Sequence, residues 1–201
     1  MSIVRKVKSI QRLFRQLDQE ILTFNTHANL HCLSGCGKCC SKPDISVSPL
    51  EFLPWAFHLF KTRQIDDTLL ALEQSSLSIC HIYNPLSITD QNHGNCGDYI
   101  HRGLMCRLFG YGASRNKLGQ LTLATCKIIK EGQKDNYNEV VSAINQGLKV
   151  PIFTDYYMRL AQIDIKLGNM ILPINEALIV AIEEVLQHYA YRPFPKGYNA
   201  A

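Results

Sequence analysis

The sequence predicts a mainly α-helical chain with one small β-hairpin and a cysteine-rich irregular segment packed on the helical scaffold. Three observations lead there. Apolar residues recur at steps of three and four near both ends of the chain. Alternation at steps of two is confined to a short stretch around Leu121–Thr125. All the cysteines fall between Cys32 and Cys126. With 46% hydrophobic and 19% charged residues, the 201-residue chain can build a core, and it reads as a single domain, 1–201. Within it, 32–126 is the cysteine-bearing region, and 1–31 and 137–192 are helical scaffold.

Composition narrows the function classes. A net charge of +4 is too modest to indicate nucleic-acid binding. No run of roughly 18 apolar residues occurs, so no membrane span is expected. The N-terminus has no compact apolar segment followed by a small-residue cleavage site, so a secretory leader is not expected either. Eight cysteines without such a leader point to a reducing compartment, the cytoplasm, where clustered thiols are metal ligands more often than disulfides. The competing reading is an exported, disulfide-stapled domain. Counting free thiols with and without a chelator separates the two.

The first element is a long helix. Ile3, Val7, Ile10, Phe14, Leu17, Ile21 and Phe24 form an apolar stripe, while Arg5, Lys6, Lys8, Arg12 and Arg15 lie off it. The plain reading is a helix packed on the core with a solvated basic face. The sharper reading is a seam for a homodimer, or a surface for an acidic protein partner.

Cys32, Cys36, Cys39 and Cys40 follow. Thiols so close together cannot each occupy a separate core niche. Gly35 and Gly37 flank Cys36 and let the backbone turn tightly, with amides aimed at an anion. The Cys36-x-x-Cys39 spacing is that of a two-ligand metal knuckle. Adjacent Cys39 and Cys40 would point opposite ways in extended backbone. The pair therefore implies a sharp turn, two different metals, or a larger cluster.

Ser48-Pro49-Leu50-Glu51 reads as a capping box opening a helix through Phe52, Leu53, Trp55, Ala56 and Leu59, with Pro54 in its first turns. Asp66 and Asp67 open a second short helix through Leu69, Leu70, Leu72 and Leu77. From Ser78 to Gly112 the chain reads as irregular and carries Cys80, Cys96 and Cys106. His31, His81, His93 and His101 lie near cysteines, but none is assigned as a ligand. Tyr111–Ile129 reads as a β-hairpin turning at Asn116–Gly119, with Cys126 ending its second strand. Cys126 either returns a last thiol to the centre or is a buried free thiol. Helices are expected over Tyr137–Gln146, Thr154–Leu167 and Asn175–Tyr191, stopped by Gly147, Gly168 and Pro193. A composition shift near 130–136 is the one candidate boundary.

Two stretches resemble a known family. Cys36-Gly37-Lys38-Cys39-Cys40 matches the end of a CxxCxxCC signature. Cys96-Gly97-Asp98-Tyr99-Ile100-His101-Arg102-Gly103-Leu104-Met105-Cys106-Arg107 resembles C-x-x-Y-x-x-R-P-x-x-C-R. Together they are similar to the YkgJ-type cysteine-cluster family, described as a zinc- or iron-chelating domain. Cys80 falls where that family often has a further cysteine. The resemblance covers about 32–126. Cys32 stands three residues before Cys36 rather than two, and Gly103 replaces the family's proline. The resemblance implies metal chelation. A more distant likeness in cysteine pattern, to an iron–sulfur flagellin lysine methylase, is an analogy only.

The candidate metal ligands are thus Cys32, Cys36, Cys39, Cys40, Cys80, Cys96, Cys106 and Cys126. Eight thiolates suit either two closed zinc sites or one [4Fe–4S] cluster with thiols to spare. The adjacent cysteines and uneven spacing favour an iron–sulfur cluster or a metal pair. Arg102 and Arg107 flank Cys106 and are candidate cofactor-binding residues, because guanidinium groups offset the charge of a thiolate centre. Tyr99 either bonds a sulfur or packs. Lys38 would lower neighbouring thiol pKa values.

The function expected is a metal-binding module acting as metal or redox carrier, sensor or interaction module. The alternative is an iron–sulfur enzyme, redox or protein-modifying. No catalytic residue can be named. The sequence shows no dinucleotide fingerprint, phosphate loop or paired-carboxylate motif. Cys36→Ser or Cys39→Ser is expected to lose bound metal and loosen the loops from 32 to 110. Metal content and melting temperature read this out, and unchanged values in either variant reject it.

Overall fold

The computed structural model describes residues 1–32, 35–87 and 93–195. Among them are nine α-helices and three two-stranded antiparallel sheets. The fold is mainly α with small hairpins, as expected. Helix α1 runs Ile3–Ala28 and buries the whole predicted stripe, with Leu13 and Ala28 added. The stripe faces the chain's own core. Arg5, Lys8, Arg12 and Arg15 stay in solvent, whereas Lys6 is ion-paired with Asp164. Arg12, Arg15, Gln16, Gln19, Glu20 and Arg159 border an open surface groove of about 480 Å³.

Strand β1 (Ser46–Val47) leads into helix α2 (Pro49–Lys61), the interior helix of the fold. Ser48, in extended backbone, accepts from Leu50 N–H through its hydroxyl. Glu51 accepts from Ser48 N–H at 2.9 Å, which closes the predicted capping box. Ten α2 residues are buried, an apolar surface nearly all round, as an enclosed helix requires. Pro54 lies inside α2 and removes one backbone donor from it. Helix α3 (Ile65–Gln74) ends before Leu77, and only Ile65 and Leu72 of it are buried. Its predicted continuation to Leu77 fails, and Leu77 lies 64% exposed.

The stretch 78–112 is more ordered than its composition suggests. It holds β2 (Tyr83–Pro85) paired with β3 (Gly94–Cys96), a 3-10 turn at Tyr99–His101, and helix α4 (Leu104–Leu108). Tyr-Asn-Pro and Gly-Asn-Cys carry no alternating pattern, so the pairing is invisible in the sequence. The predicted hairpin is present as β4 (Ala113–Arg115) and β5 (Leu121–Leu123), turning at Asn116–Gly119 with Gly119 at φ 78°. It is shorter than expected. Cys126 is not in the strand but precedes helix α5 (Lys127–Gly132).

Helix α6 (Lys134–Asn145) follows α5 across Gln133, so no linker interrupts the chain at 130–136. The helix expected over Thr154–Leu167 is two helices, α7 (Phe153–Ala161) and α8 (Ile165–Asn169). Asp164 breaks it by accepting from Leu167 N–H as an N-cap. A Cβ on Gly168 would stand 2.6 Å from Ala161 Cα, so only glycine allows α8 to fold back on α7. Strand β6 (Leu172–Pro173) pairs with β1, and α9 (Ile174–Tyr189) packs along α2.

Two apolar cores result. The larger joins most of α1 with α2, α4, α7, α8 and α9. The smaller gathers Phe24, Ala28 and Leu30 with Leu123, Ile129, Val140 and Ile144. The long helix α1 contributes to both. No described helix is long and apolar enough to cross a membrane.

Glu51 is fully buried between these elements. Burial raises its pKa from 4.5 to about 7, against the opposing effect of the donors aimed at it. The folded state therefore holds this proton where the unfolded chain has released it. Stability should fall as pH rises from about 4.5 to about 7 and level off above. The total is on the order of 3 kcal/mol. Denaturant titrations across this range check it, and Glu51→Gln should flatten the slope.

Candidate metal centre

The cysteine loop is seated on the β2–β3 hairpin. Cys36 forms an isolated antiparallel bridge with His93, and Gly94 N–H donates to Gly35 O at 3.0 Å. Gly35 turns the chain at φ 70°. The Tyr83 ring fills the space where side chains at Gly37 and Gly94 would begin, 2.4 Å from either added Cβ. Two missing side chains thus let the loop and strand close on one aromatic ring. The loop then tightens. Cys40 N–H and Ser41 N–H both donate to Gly37 O, at 2.9 and 3.0 Å.

That turn removes the extended backbone in which Cys39 and Cys40 would diverge. Their Sγ atoms lie 3.9 Å apart. Two sulfurs on one tetrahedral zinc, each at about 2.3 Å from the metal, stand about 3.8 Å apart. The adjacent pair is therefore spaced as two ligands of one ion can be.

Thiols from distant parts of the chain lie near enough to Cys39 to bear on its charge. Cys39 lies within electrostatic reach of Cys32, Cys40, Cys80, Cys96 and Cys106. Cys36 and Cys126 lie within electrostatic reach of Cys32. All eight are free thiols. Among the described residues, no three His, Cys, Asp or Glu side chains stand ready-made as a metal-ligand set.

The electrostatics of the gathered thiols are uneven. Burial pushes Cys80 up to about 11 and Cys106 well above the ordinary thiol range; the Glu51 carboxylate adds to Cys106, and neighbouring thiols add to both. Cys32 and Cys96 are raised by burial first. Cys40 is raised chiefly by its contact with Cys39. Cys39 is lowered to about 6, first by the hydrogen bond from Cys40, then by the amides of Cys39 and Cys40 and the Arg102 guanidinium, with burial opposing. The set thus carries one ready thiolate among thiols that hold their protons.

Backbone donors face several sulfurs. The amides of Ile82 and Tyr83 are aimed at Cys80, and that of Asp98 at Cys96. Arg102 lies over Tyr99, with Cζ 3.9 Å from the ring centroid, and its charge favours thiolate at Cys39 and Cys96. Tyr99 itself is mostly exposed, so it packs beneath Arg102. The Arg102 Nε is buried with no hydrogen-bond partner. A buried donor without an acceptor, beside sulfurs that amides already address, fits an anionic thiolate–metal centre.

Arg107 has a different role from that expected. Its guanidinium grips both carboxylate oxygens of Asp18 on α1, at 2.8 and 2.7 Å, and donates to Arg102 O and Ile100 O. It also lies over the Phe14 ring. Arg107 fixes the loop to the scaffold, and its donors are spent on oxygen atoms. The histidines are placed by other bonds. His93 pairs through its backbone, His31 and His81 donate their backbone N–H to Gln133 and Asn175, and His101 bonds Asp98 and stacks on His58. Tyr83, Asp18 and Glu51 shape the centre without having been singled out for it. Only Glu51 gave a signal, as a helix cap.

No known family model, curated protein or solved structure matches the chain.

Arg107→Ala should destabilise the protein by about 2 kcal/mol, because it strips two carbonyl bonds and a pairing with the half-exposed Asp18 carboxylate at once. Arg107→Lys should recover only part, since an ammonium cannot grip a carboxylate in a two-pronged fashion. Chemical denaturation of the two variants checks the order.

Proposed function

We propose that the chain is a thiolate metal-binding protein of the YkgJ type, whose metal ties the 32–126 loops to the helical scaffold. One observation carries the reading: five other thiols, from four separate stretches of the chain, lie within electrostatic reach of Cys39. Thiols in such a group repel one another once ionised, and a cation among them reverses the sign of that interaction. Bound zinc or iron would supply the positive charge that lets the raised thiols of Cys80, Cys96 and Cys106 ionise. Cys39 and Cys40 would hold it at the turn, and Arg102 would offset the remaining negative charge.

A single tetrahedral ion takes four thiolates, and more than four are gathered here. The centre therefore takes a metal pair or an iron–sulfur cluster. Cys32, Cys36 and Cys126 would complete the outer part of the ligand set. The role is that of a metal or redox carrier or an interaction module.

Protein purified without oxygen should carry at least two metal atoms per chain by elemental analysis. A broad brown absorption identifies iron–sulfur, and a colourless zinc-loaded protein identifies a zinc pair. Removing the metal should lower the melting temperature and expose thiols to alkylation. Protein that takes up neither zinc nor iron, and melts identically with chelator, would overturn the reading.

A further inference from the structure

Cys106 sits on the weakest element of the centre. Helix α4 has five residues, too few to hold its own geometry, so its position must come from outside. The residues on either side of Cys106 are both anchored by side chains of longer helices. Arg107 is tied to Asp18 of α1. Met105 N–H donates to Glu51 Oε2 at 2.7 Å, and the Leu104 amide points at the same carboxylate. Glu51 is itself fixed in α2, where Oε1 accepts from Ser48 N–H at 2.9 Å and from the Tyr157 hydroxyl at 3.2 Å. The fit is close. A Cβ at Gly103 would stand 2.7 Å from Glu51 Oε2 and 2.7 Å from the Phe52 ring. Glycine at this position, where the resembled family carries proline, lets α4 settle onto the carboxylate.

A helix cap needs only the bond to Ser48. Glu51 is buried completely and spends its second oxygen on α4, which the cap does not require. We propose that Glu51 is a positioning residue of the thiol centre, setting where Cys106 stands relative to Cys39 and Cys80. This rests on the reading of that centre as a metal site. Glu51 touches no sulfur in this role. It acts through the backbone of α4, as outer-shell groups do for metal ligands.

The test uses the full chain, freed of metal and titrated without oxygen with Zn(II) and with Co(II) as a spectroscopic probe. Glu51→Gln replaces an acceptor oxygen by an amide that cannot accept. It should weaken Zn(II) binding by about tenfold or more and reduce the sulfur-to-Co(II) charge-transfer absorption. Cys106→Ser should do the same, and Glu51→Gln combined with Cys106→Ser should be no weaker than Cys106→Ser alone, because both remove one ligand. Ser48→Ala damages the α2 cap but keeps the backbone N–H that Glu51 needs. It should lower the melting temperature and leave Zn(II) affinity unchanged. If Glu51→Gln does not fold, Tyr157→Phe removes one donor from the carboxylate. Its loss of Zn(II) affinity should vanish in the Cys106→Ser background. Wild-type affinity and absorption in Glu51→Gln, additive losses in the double variant, or no loss in Tyr157→Phe would overturn the proposal while the metal-site reading stands. A wild-type chain that binds neither ion overturns both.

Discussion

Thiols held close together away from water resist ionisation, and each one that ionises makes the next harder to ionise. That constraint governs the 32–126 region. Cys80 and Cys106 are raised by burial and by the sulfurs around them, while Cys39 is lowered by the Cys40 hydrogen bond, two amides and Arg102. A cation placed among such thiols would convert their mutual repulsion into shared attraction. The amides facing Cys80 and Cys96, and the unpartnered Nε of Arg102, are arranged for sulfur that carries negative charge.

The helices serve this arrangement by fixing backbones that have little regular structure of their own. Hairpin β2–β3 is three residues on each strand, and α4 is five residues long. Neither is stable alone. Helix α4 is held by side chains of longer helices, Asp18 from α1 and Glu51 from α2, and Tyr157 of α7 in turn bonds Glu51. Placing buried charge at those contacts is costly unless every polar atom is matched. The Arg107 guanidinium meets that condition, with both carboxylate oxygens of Asp18 and two carbonyls around it.

The long periodic elements were legible in the sequence. The stripe from Ile3 to Phe24 is buried as read, and the Ser48–Glu51 box opens α2. Errors came where a local signal met a tertiary one. Apolar Leu77 looked like the last turn of α3, but the chain leaves the helix at Ser75 and Leu77 faces solvent. Asp164 falls inside the helix expected over Thr154–Leu167, and it instead caps the next one. Cys126 was placed at a strand end because the alternation of Leu121–Leu123 gives no stop signal. At the centre, cysteine spacing marked the thiols, but the partners of Arg107 lie too far away in sequence for spacing to reveal them.

Residue order by itself determined the helical stripes, the capping box, the glycine turn and the confinement of the thiols to residues 32–126. These depend on interactions between residues a few positions apart, which periodicity and propensity record. Only the tertiary structure decided that Cys39 and Cys40 share one side of a turn, and that Arg102 faces sulfur while Arg107 faces Asp18. Those outcomes depend on where α1, α2 and α7 pack, and burial against distant partners is not written in local spacing.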